Sequence, residues 1–285
     1  MVSPKEGGIT RCGPLKLEWG KRTYVMGIVN ATPDSFSGDG LAYDCEVALE
    51  QALRFQAEGA DIIDVGGEST RPSSTPVDAD EEIQRVIPVI RLLSSRLDIP
   101  ISVDTYKYTV AQEALAAGAA MINDVWGLKH DSTLASLAAR EGVPIVLMHN
   151  QKDAIYADFF TDALASLRAS VKQALDADVS SENVILDPGF GFGKGPEHNL
   201  EILRRLQEFK ALGFPILVGT SRKSTVGLVL DLPVEERLEG TAATVALAIA
   251  NGADIVRVHD VKAMTRVARM SDAIVRGWAG RALHP

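Results

Sequence analysis

Cysteine is scarce in these 285 residues: there are two, Cys12 and Cys45. They form no C-x-x-C pair and have no His or Cys at metal-ligand spacing, which excludes a disulfide framework or a zinc site and leaves two small thiols. Long hydrophobic runs are also missing. No stretch of about 18 apolar residues occurs, so a membrane span is excluded, and Met1 to Gly8 lacks the apolar core of a secretory signal. The expectation is a cytoplasmic protein with no membrane partner. Basic runs are absent too, with 29 Lys and Arg against 38 Asp and Glu and a net charge of −9. A general positive field for nucleic acid is therefore excluded. An anionic substrate would have to be met locally, by a few placed Arg, Lys or His, by helix N-termini or by a metal.

What is present is the composition of a globular chain: 46% hydrophobic, 24% charged, 24 Gly and 13 Pro. Eight short apolar, β-branched runs recur: Tyr24 to Asn30, Asp61 to Val65, Ile99 to Asp104, Ala120 to Asn123, Pro144 to Met148, Asn183 to Asp187, Pro215 to Val218 and Asp254 to Val258. They alternate with amphipathic stretches at Cys45 to Glu58, Ala79 to Ser95, Tyr108 to Ala117, Ser132 to Arg140, Phe159 to Ala177, Glu197 to Lys210, Glu235 to Asn251 and Val261 to Val275. The repeat of roughly 33 residues matches one strand, one helix and two loops. A doubly wound sheet would carry G-x-G-x-x-G after its first strand, but Ala31-Thr32-Pro33-Asp34 stands there. The pattern predicts an α/β fold, a single-domain (β/α)8 TIM barrel over residues 24–285. Residues 1–23 form an N-terminal segment in which Leu15 to Arg22, alternating around Gly20, predicts a β-hairpin capping the barrel bottom.

In such a barrel the chemistry sits at the C-terminal strand ends. Those ends carry Asn30, Asp64, Asp104, Asn123, Met148 with His149, Asp187, Ser221 to Ser224, and Arg257 with His259. Strand alternation puts Arg257 and His259 on one face and Val256 and Val258 on the other. The valines suit the helix-packed outside, so Arg257 and His259 project inward, as do Asp104 with Ser102, Asn123 with Met121, and Asp187 with Ile185. A single Asp or Asn at a strand end is usually a turn former. Five aimed at one mouth are better explained by one polar pocket.

Two loops stand out. Asp187-Pro188-Gly189-Phe190-Gly191-Phe192-Gly193-Lys194 matches no phosphate-loop pattern. It reads as a tight loop whose glycines let backbone pass close to a ligand, with Asp187 as the chemical residue and Lys194 facing solvent. Gly219-Thr220-Ser221-Arg222-Lys223-Ser224 follows the seventh strand and opens a helix, where barrels often hold phosphate. Lys223, Arg257 and His259 make a local cationic cluster, although adjacent Arg222 and Lys223 cannot both face inward.

The blocks from Gly27 to Ser37, Asp64 to Pro72, Ser102 to Thr105, Ile122 to Asp124, Asp187 to Gly189, Gly219 to Ser224 and Arg257 to Asp260 resemble, in order, those of the dihydropteroate synthase family. The resemblance implies a folate-pathway transferase joining a dihydropterin methyl diphosphate to p-aminobenzoate. It implies that Asn30 helps hold a Mg²⁺ with the diphosphate, and that Thr70, Arg257 and His259 contact the diphosphate. Asp104, Asn123, Asp187 and Lys223 are similar to the family's pterin-binding residues, with Met148, Phe192 and Gly219 as the pocket walls. Phe36, Thr70, Arg71, Pro72 and Ser224 correspond to its p-aminobenzoate side. The reaction implied is dissociative: Asp104 and Asp187 stabilise the cationic methylene while Mg²⁺, Arg257 and His259 stabilise the departing negative charge, and Lys223 stands with these side chains as a catalytic residue. A homodimer is implied as well, for which Val245, Leu247, Ile249, Val267 and Ile274 offer a face. In the first loop this chain reads Ser37-Gly38-Asp39-Gly40, the acid lying one residue later than the family's usual place. The nearest rivals are a methyltetrahydrofolate-binding barrel, which handles no diphosphate, and a non-catalytic pterin-binding paralogue.

Overall fold

The computed structural model describes residues 8–31, 45–68 and 76–278. It opens with an antiparallel pair, β1 (Ile9–Cys12) and β2 (Leu15–Glu18). The hairpin expected at the N-terminus is therefore present, but it turns at Gly13-Pro14 rather than at Gly20. Gly13 takes φ +52, a left-handed value that costs glycine nothing, and Pro14 cannot continue the ladder.

Eight parallel strands follow: β3 (Tyr24–Asn30), β4 (Ile62–Gly66), β5 (Ile101–Asp104), β6 (Met121–Asp124), β7 (Ile145–Met148), β8 (Val184–Asp187), β9 (Leu217–Val218) and β10 (Ile255–Val258). Each pairs with its chain neighbour from β3 to β8, β10 lies between β9 and β3, and a parallel bridge from Leu186 to Ile216 closes the circle. This is the TIM barrel. Seven of the eight strands begin one or two residues later than the apolar runs do, and at three of them Pro100, Pro144 or Pro215 has no N–H for the ladder. Their carbonyls still take part, accepting from Ile63, Ile122 and Leu186 at 3.0, 3.0 and 2.9 Å.

The helices are α1 (Cys45–Glu58), α2 (Ala79–Ser94), α3 (Tyr108–Ala116), α4 (Thr133–Glu141), α5 (Phe159–Asp176), α6 (Pro196–Arg204), α7 (Leu206–Lys210), α8 (Ser224–Leu230), α9 (Leu238–Ala250) and α10 (Val261–Val275). Asp78 starts α2 by accepting from the Glu81 N–H at 2.8 Å, and Asp158 does the same for α5 with Thr161. The single helix expected from Glu197 to Lys210 is broken at Arg205, whose φ −114 and ψ 22 leave the helical region. The helix expected from Glu235 begins at Leu238, after a short 3₁₀ turn over Val234–Glu236. Among the described residues no helix is long and apolar enough to cross a membrane.

Alternation along the strands builds two apolar regions. Outward residues such as Val25, Ile63, Val103, Leu147, Val256 and Val258 pack under the helices. Inward residues Met26, Ile62, Met121, Val146, Ile185, Leu217 and Ile255 fill the barrel floor, and Cys12, Leu17 and Trp19 of the hairpin close it from below. Burying such a side chain contributes about 1.5–3 kcal/mol. The floor is thus plugged, and only the opposite, C-terminal end is left open for chemistry.

Candidate functional site

Carboxylates occur at both ends of the barrel, and their partners separate them. At the bottom, Asp61 makes a two-bond ion pair with Arg22 at 2.9 and 2.6 Å and accepts from the Val25 N–H. Asp254 accepts from the Ile216 N–H at 2.8 Å and pairs with Lys210. Both are structural ties. At the top, Asp104 and Asp187 end β5 and β8 and face side chains from other strands.

Arg257 on β10 links three strands. Its Nε donates to Asp64 Oδ2 on β4 at 2.6 Å and its Nη2 donates to Asp104 Oδ2 on β5 at 2.7 Å. Asn123 on β6 donates from Nδ2 to the same Asp64 oxygen at 3.0 Å. Burial pushes the Asp104 carboxyl up to about 7; Asp64 and Glu82 add to the rise, while Arg257 and Lys223 oppose it. Asp104 thus changes charge near neutral pH.

Across the mouth, Asp187 accepts from the Gly189 N–H at 2.7 Å, and burial raises its pKa against the pull of that bond and of Lys223. Lys223 donates to the Phe190 carbonyl, and its Nζ lies 4.1 Å from the centre of the Phe192 ring. Burial lowers the Lys223 ammonium to about 8, so it too titrates close to neutrality. The glycines of this loop have a steric reason. A Cβ on Gly191 would lie 2.8 Å from Lys223 Cδ, and one on Gly189 would lie 1.9 Å from the His149 carbonyl oxygen.

Arg222 and Lys223 divide as the alternation argument requires. Arg222, at φ +57, turns away to pair with Asp260, while Lys223 points inward. Lys194 overturns the expectation that it faces solvent. Its Nζ donates to the carbonyls of His149 at 3.1 Å and Phe192 at 2.8 Å, fastening the glycine loop to the end of β7. His259 is half-buried beyond β10, its N–H donating to Ser221 Oγ at 3.1 Å and its Nδ1 lying 3.0 Å from the same hydroxyl.

Met148 is 2% exposed and packs with Tyr106, Val125, Trp126 and Phe192 as an apolar wall. Met148 and Phe192 were legible at their strand end and loop. Tyr106, Val125 and Trp126 were missed, although each lies within three residues of a strand end already singled out. Gly219 sits beside Arg257: an added Cβ would lie 3.7 Å from Arg257 Cβ, in ordinary van der Waals contact. Ser224 is exposed at the start of α8, and Asn30 is half-buried at the end of β3. Phe36, Asp39, Thr70, Arg71 and Pro72 lie outside the described residues.

Beside the mouth is an ion cluster that sequence reasoning did not find. Lys107 donates to Glu68 Oε2 at 2.6 Å and to Glu82, and the Tyr106 hydroxyl lies 3.0 Å from Glu68 Oε1. The signal available was only that Tyr106 and Lys107 follow Asp104 in the loop after β5.

The mouth therefore offers a buried carboxylate beside an ammonium, a guanidinium between two carboxylates, an amide, an imidazole and an apolar wall. Such a set suits a flat heteroaromatic ring carrying an anionic group. Among the described residues no group of three or more His, Cys, Asp or Glu gathers as a metal-binding cluster.

Comparison with known proteins agrees. Residues 26–259 match the family described as pterin binding enzyme. The chain is 53% identical over 262 residues to dihydropteroate synthase of Bacillus subtilis, covering 92% of each. Among solved structures, Clostridium difficile dihydropteroate synthase, crystallised in the presence of pteroic acid, is 52% identical with a TM-score of 0.89, covering 90% of this chain and 98% of that one. Xanthomonas albilineans dihydropteroate synthase with 4-aminobenzoic acid is 41% identical with a TM-score of 0.89, covering 96% of this chain and 98% of that one.

Proposed function

This chain belongs to the dihydropteroate synthase family of pterin-binding enzymes, and from that membership we propose how its barrel mouth works. It is a transferase that condenses (7,8-dihydropterin-6-yl)methyl diphosphate with p-aminobenzoate to give 7,8-dihydropteroate and diphosphate. The observation that carries the residue assignment is the convergence of Asp104, Asn123, Asp187, Lys223 and Arg257 on one open barrel end above a plugged floor.

Asp187 receives the two-donor edge of the pterin, the 2-amino group and the adjacent ring N–H, because an ionised carboxylate is acceptor-only. Lys223 donates to the ring carbonyl, and Asn123 completes the polar side. Met148 and Phe192 line the ring as the apolar wall. Arg257 uses two of its five N–H bonds on Asp64 and Asp104, leaving three for the diphosphate alongside His259. As the C–O bond to diphosphate breaks, positive charge develops on the methylene, where Asp104 and Asp187 stabilise it in their ionised forms. The p-aminobenzoate nitrogen then forms the C–N bond and loses a proton. No side-chain nucleophile is needed. Thr70, Arg71, Pro72, Phe36 and Ser224 take the p-aminobenzoate side, Thr70 also reaching the diphosphate.

Asn30 fits a Mg²⁺ that arrives with the diphosphate: one neutral side-chain oxygen at the mouth suits a hard ion that keeps several waters and takes its other oxygens from phosphate. When bound, such an ion neutralises developing charge on the leaving group. Omitting Mg²⁺ from an assay containing both substrates is expected to remove most turnover; full turnover in a chelator would exclude this role. The same assay tests the function itself, since a non-catalytic pterin-binding paralogue would form no dihydropteroate.

Arg257→Ala and His259→Ala are expected to weaken binding of the pterin diphosphate far more than that of the pterin alcohol, because only the former carries the charge they meet. Calorimetry showing equal losses for both ligands would make these residues structural.

The protein is also proposed to be a cytoplasmic homodimer. Of the residues expected to form the shared face, Val245 and Ile249 are buried within the chain, at 1% and 0% exposure, and Val267 packs partly against the core. Leu247 and Ile274 are exposed, and Leu228, Met270 and Trp278 join them on α8, α10 and the residues after it. An apolar group of this kind suits a self-association surface. Sedimentation at micromolar concentration should give twice the 30.5 kDa chain mass; a single-chain species would exclude the dimer.

A further inference from the structure

Asp64 is fully buried on the inner face of β4, and one of its oxygens carries two bonds. Oδ2 accepts from Arg257 Nε at 2.6 Å and from Asn123 Nδ2 at 3.0 Å, while Oδ1 is buried with no hydrogen-bond partner among the described residues. Burying a carboxylate is costly, and leaving one of its oxygens unsatisfied adds to the cost. Placed for stability alone, an apolar side chain of similar size would serve as well or better. The placement makes sense through what Asp64 holds.

A carboxylate has no donor to offer, so it can engage Asn123 only through Nδ2. That settles which way the amide points, and leaves Oδ1 and the second N–H for a ligand. A bond to Nε likewise fixes the plane of the Arg257 guanidinium, which Asp104 braces from its other side at Nη2. Two side chains from β6 and β10 are thus oriented by one residue of β4.

We propose that Asp64 is a positioning residue for the transfer, its carboxylate holding Arg257 and Asn123 in the orientations in which they meet the pterin diphosphate. The inference rests on the assignment of the barrel mouth to that substrate.

Asp64→Asn keeps the shape and leaves one oxygen to accept from both donors, but it removes the negative charge that strengthens both bonds and puts an N–H₂ where Oδ1 meets no partner. The kcat/KM for the pterin diphosphate should fall roughly 10- to 100-fold, the effect of one lost hydrogen bond to a charged group. In an Arg257→Ala background the same change should cost much less, because part of its effect passes through Arg257. The pH profile supplies a second readout. Asp104 faces Arg257 from β10, Asp64 from β4, Glu82 from α2 and Lys223 from the loop after β9. Removing the Asp64 charge removes a repulsion that raises the Asp104 pKa, so the acid limb of kcat/KM should move to lower pH. Loss of packing alone would leave that limb in place.

The wild-type protein gives a measurement that needs no variant to fold. The Arg257 Nε–H should exchange slowly with solvent in the ligand-free state, and rapid exchange would overturn the proposal. Near-wild-type constants in Asp64→Asn, an unmoved acid limb, or equal costs with and without Arg257 would each do the same. Failure of the wild-type protein to bind pterin diphosphate would instead overturn the assignment of the mouth, which separates the two conclusions.

Discussion

Asp187→Asn is expected to reduce affinity for the pterin diphosphate by roughly 100- to 1,000-fold, the scale of breaking a buried, charge-assisted pair. The loss is large because of how the side chain is already committed. Asp187 Oδ1 accepts from the Gly189 N–H at 2.7 Å, inside the tight loop that Lys194 fastens to β7. In the variant the amide oxygen takes over that bond, since only it can accept, and the N–H₂ is turned toward the pocket. There it confronts the donor edge of the pterin, donor against donor. Lys223 suffers at the same time. Burial lowers its pKa to about 8 and Asp187 holds it up, so removing the carboxylate drives the pKa lower and more of the lysine becomes neutral at pH 8. Two of the ring's polar partners fail together. The preserved Gly189 bond keeps the loop folded, and thermal melting should change little. Calorimetry showing unchanged pterin affinity in a folded variant would sink the assignment of Asp187.

The parts of this site that were legible in the sequence follow from periodicity. Once eight strands were recognised, alternation alone put Arg257 opposite Val256 and Val258, and the valines do lie under the helices. Asp104, Asn123 and Asp187 were placed inward by the same step. Side chains whose partners come from distant segments were not legible. Lys194, expected in solvent, has as partners two carbonyls, one of them 45 residues away. Asp64 and Arg257 are separated by 193 residues and meet only because the sheet closes. Nor does residue type distinguish Asp61 and Asp254, which tie the floor, from Asp104 and Asp187, which face the mouth. Their strand end does. The hairpin was misregistered because Gly20 was weighed above Gly13-Pro14, although only the latter pairs a left-handed glycine with a proline.

The ion cluster beside the mouth leads to a stability effect of similar size. Lys107→Met should destabilise the fold by about 3–5 kcal/mol, because Lys107 is the ammonium that both Glu68 and Glu82 share. Glu82 is 1% exposed and its Oε1 has no hydrogen-bond partner among the described residues, so losing Lys107 leaves a buried charge with no cation bonded to it and only the Thr105 hydroxyl in support. Glu68 is better protected by the Tyr106 hydroxyl and the Val77 N–H. The sign of the pH dependence follows from Glu82. Burial already raises its pKa while Lys107 pulls it down, so in the variant the folded-state pKa climbs further above the unfolded one. A carboxyl group with a raised folded pKa binds more protons when folded, and its penalty is greatest above that pKa and relieved as pH falls through it. The melting temperature should therefore drop by roughly 10 °C at pH 8 and by clearly less at pH 5. Adding Glu82→Gln should restore much of the loss, since it removes the stranded charge rather than its neutraliser. A deficit that is the same at both pH values, or a double variant no more stable than Lys107→Met alone, would show that Lys107 acts through packing and not through the charge of Glu82.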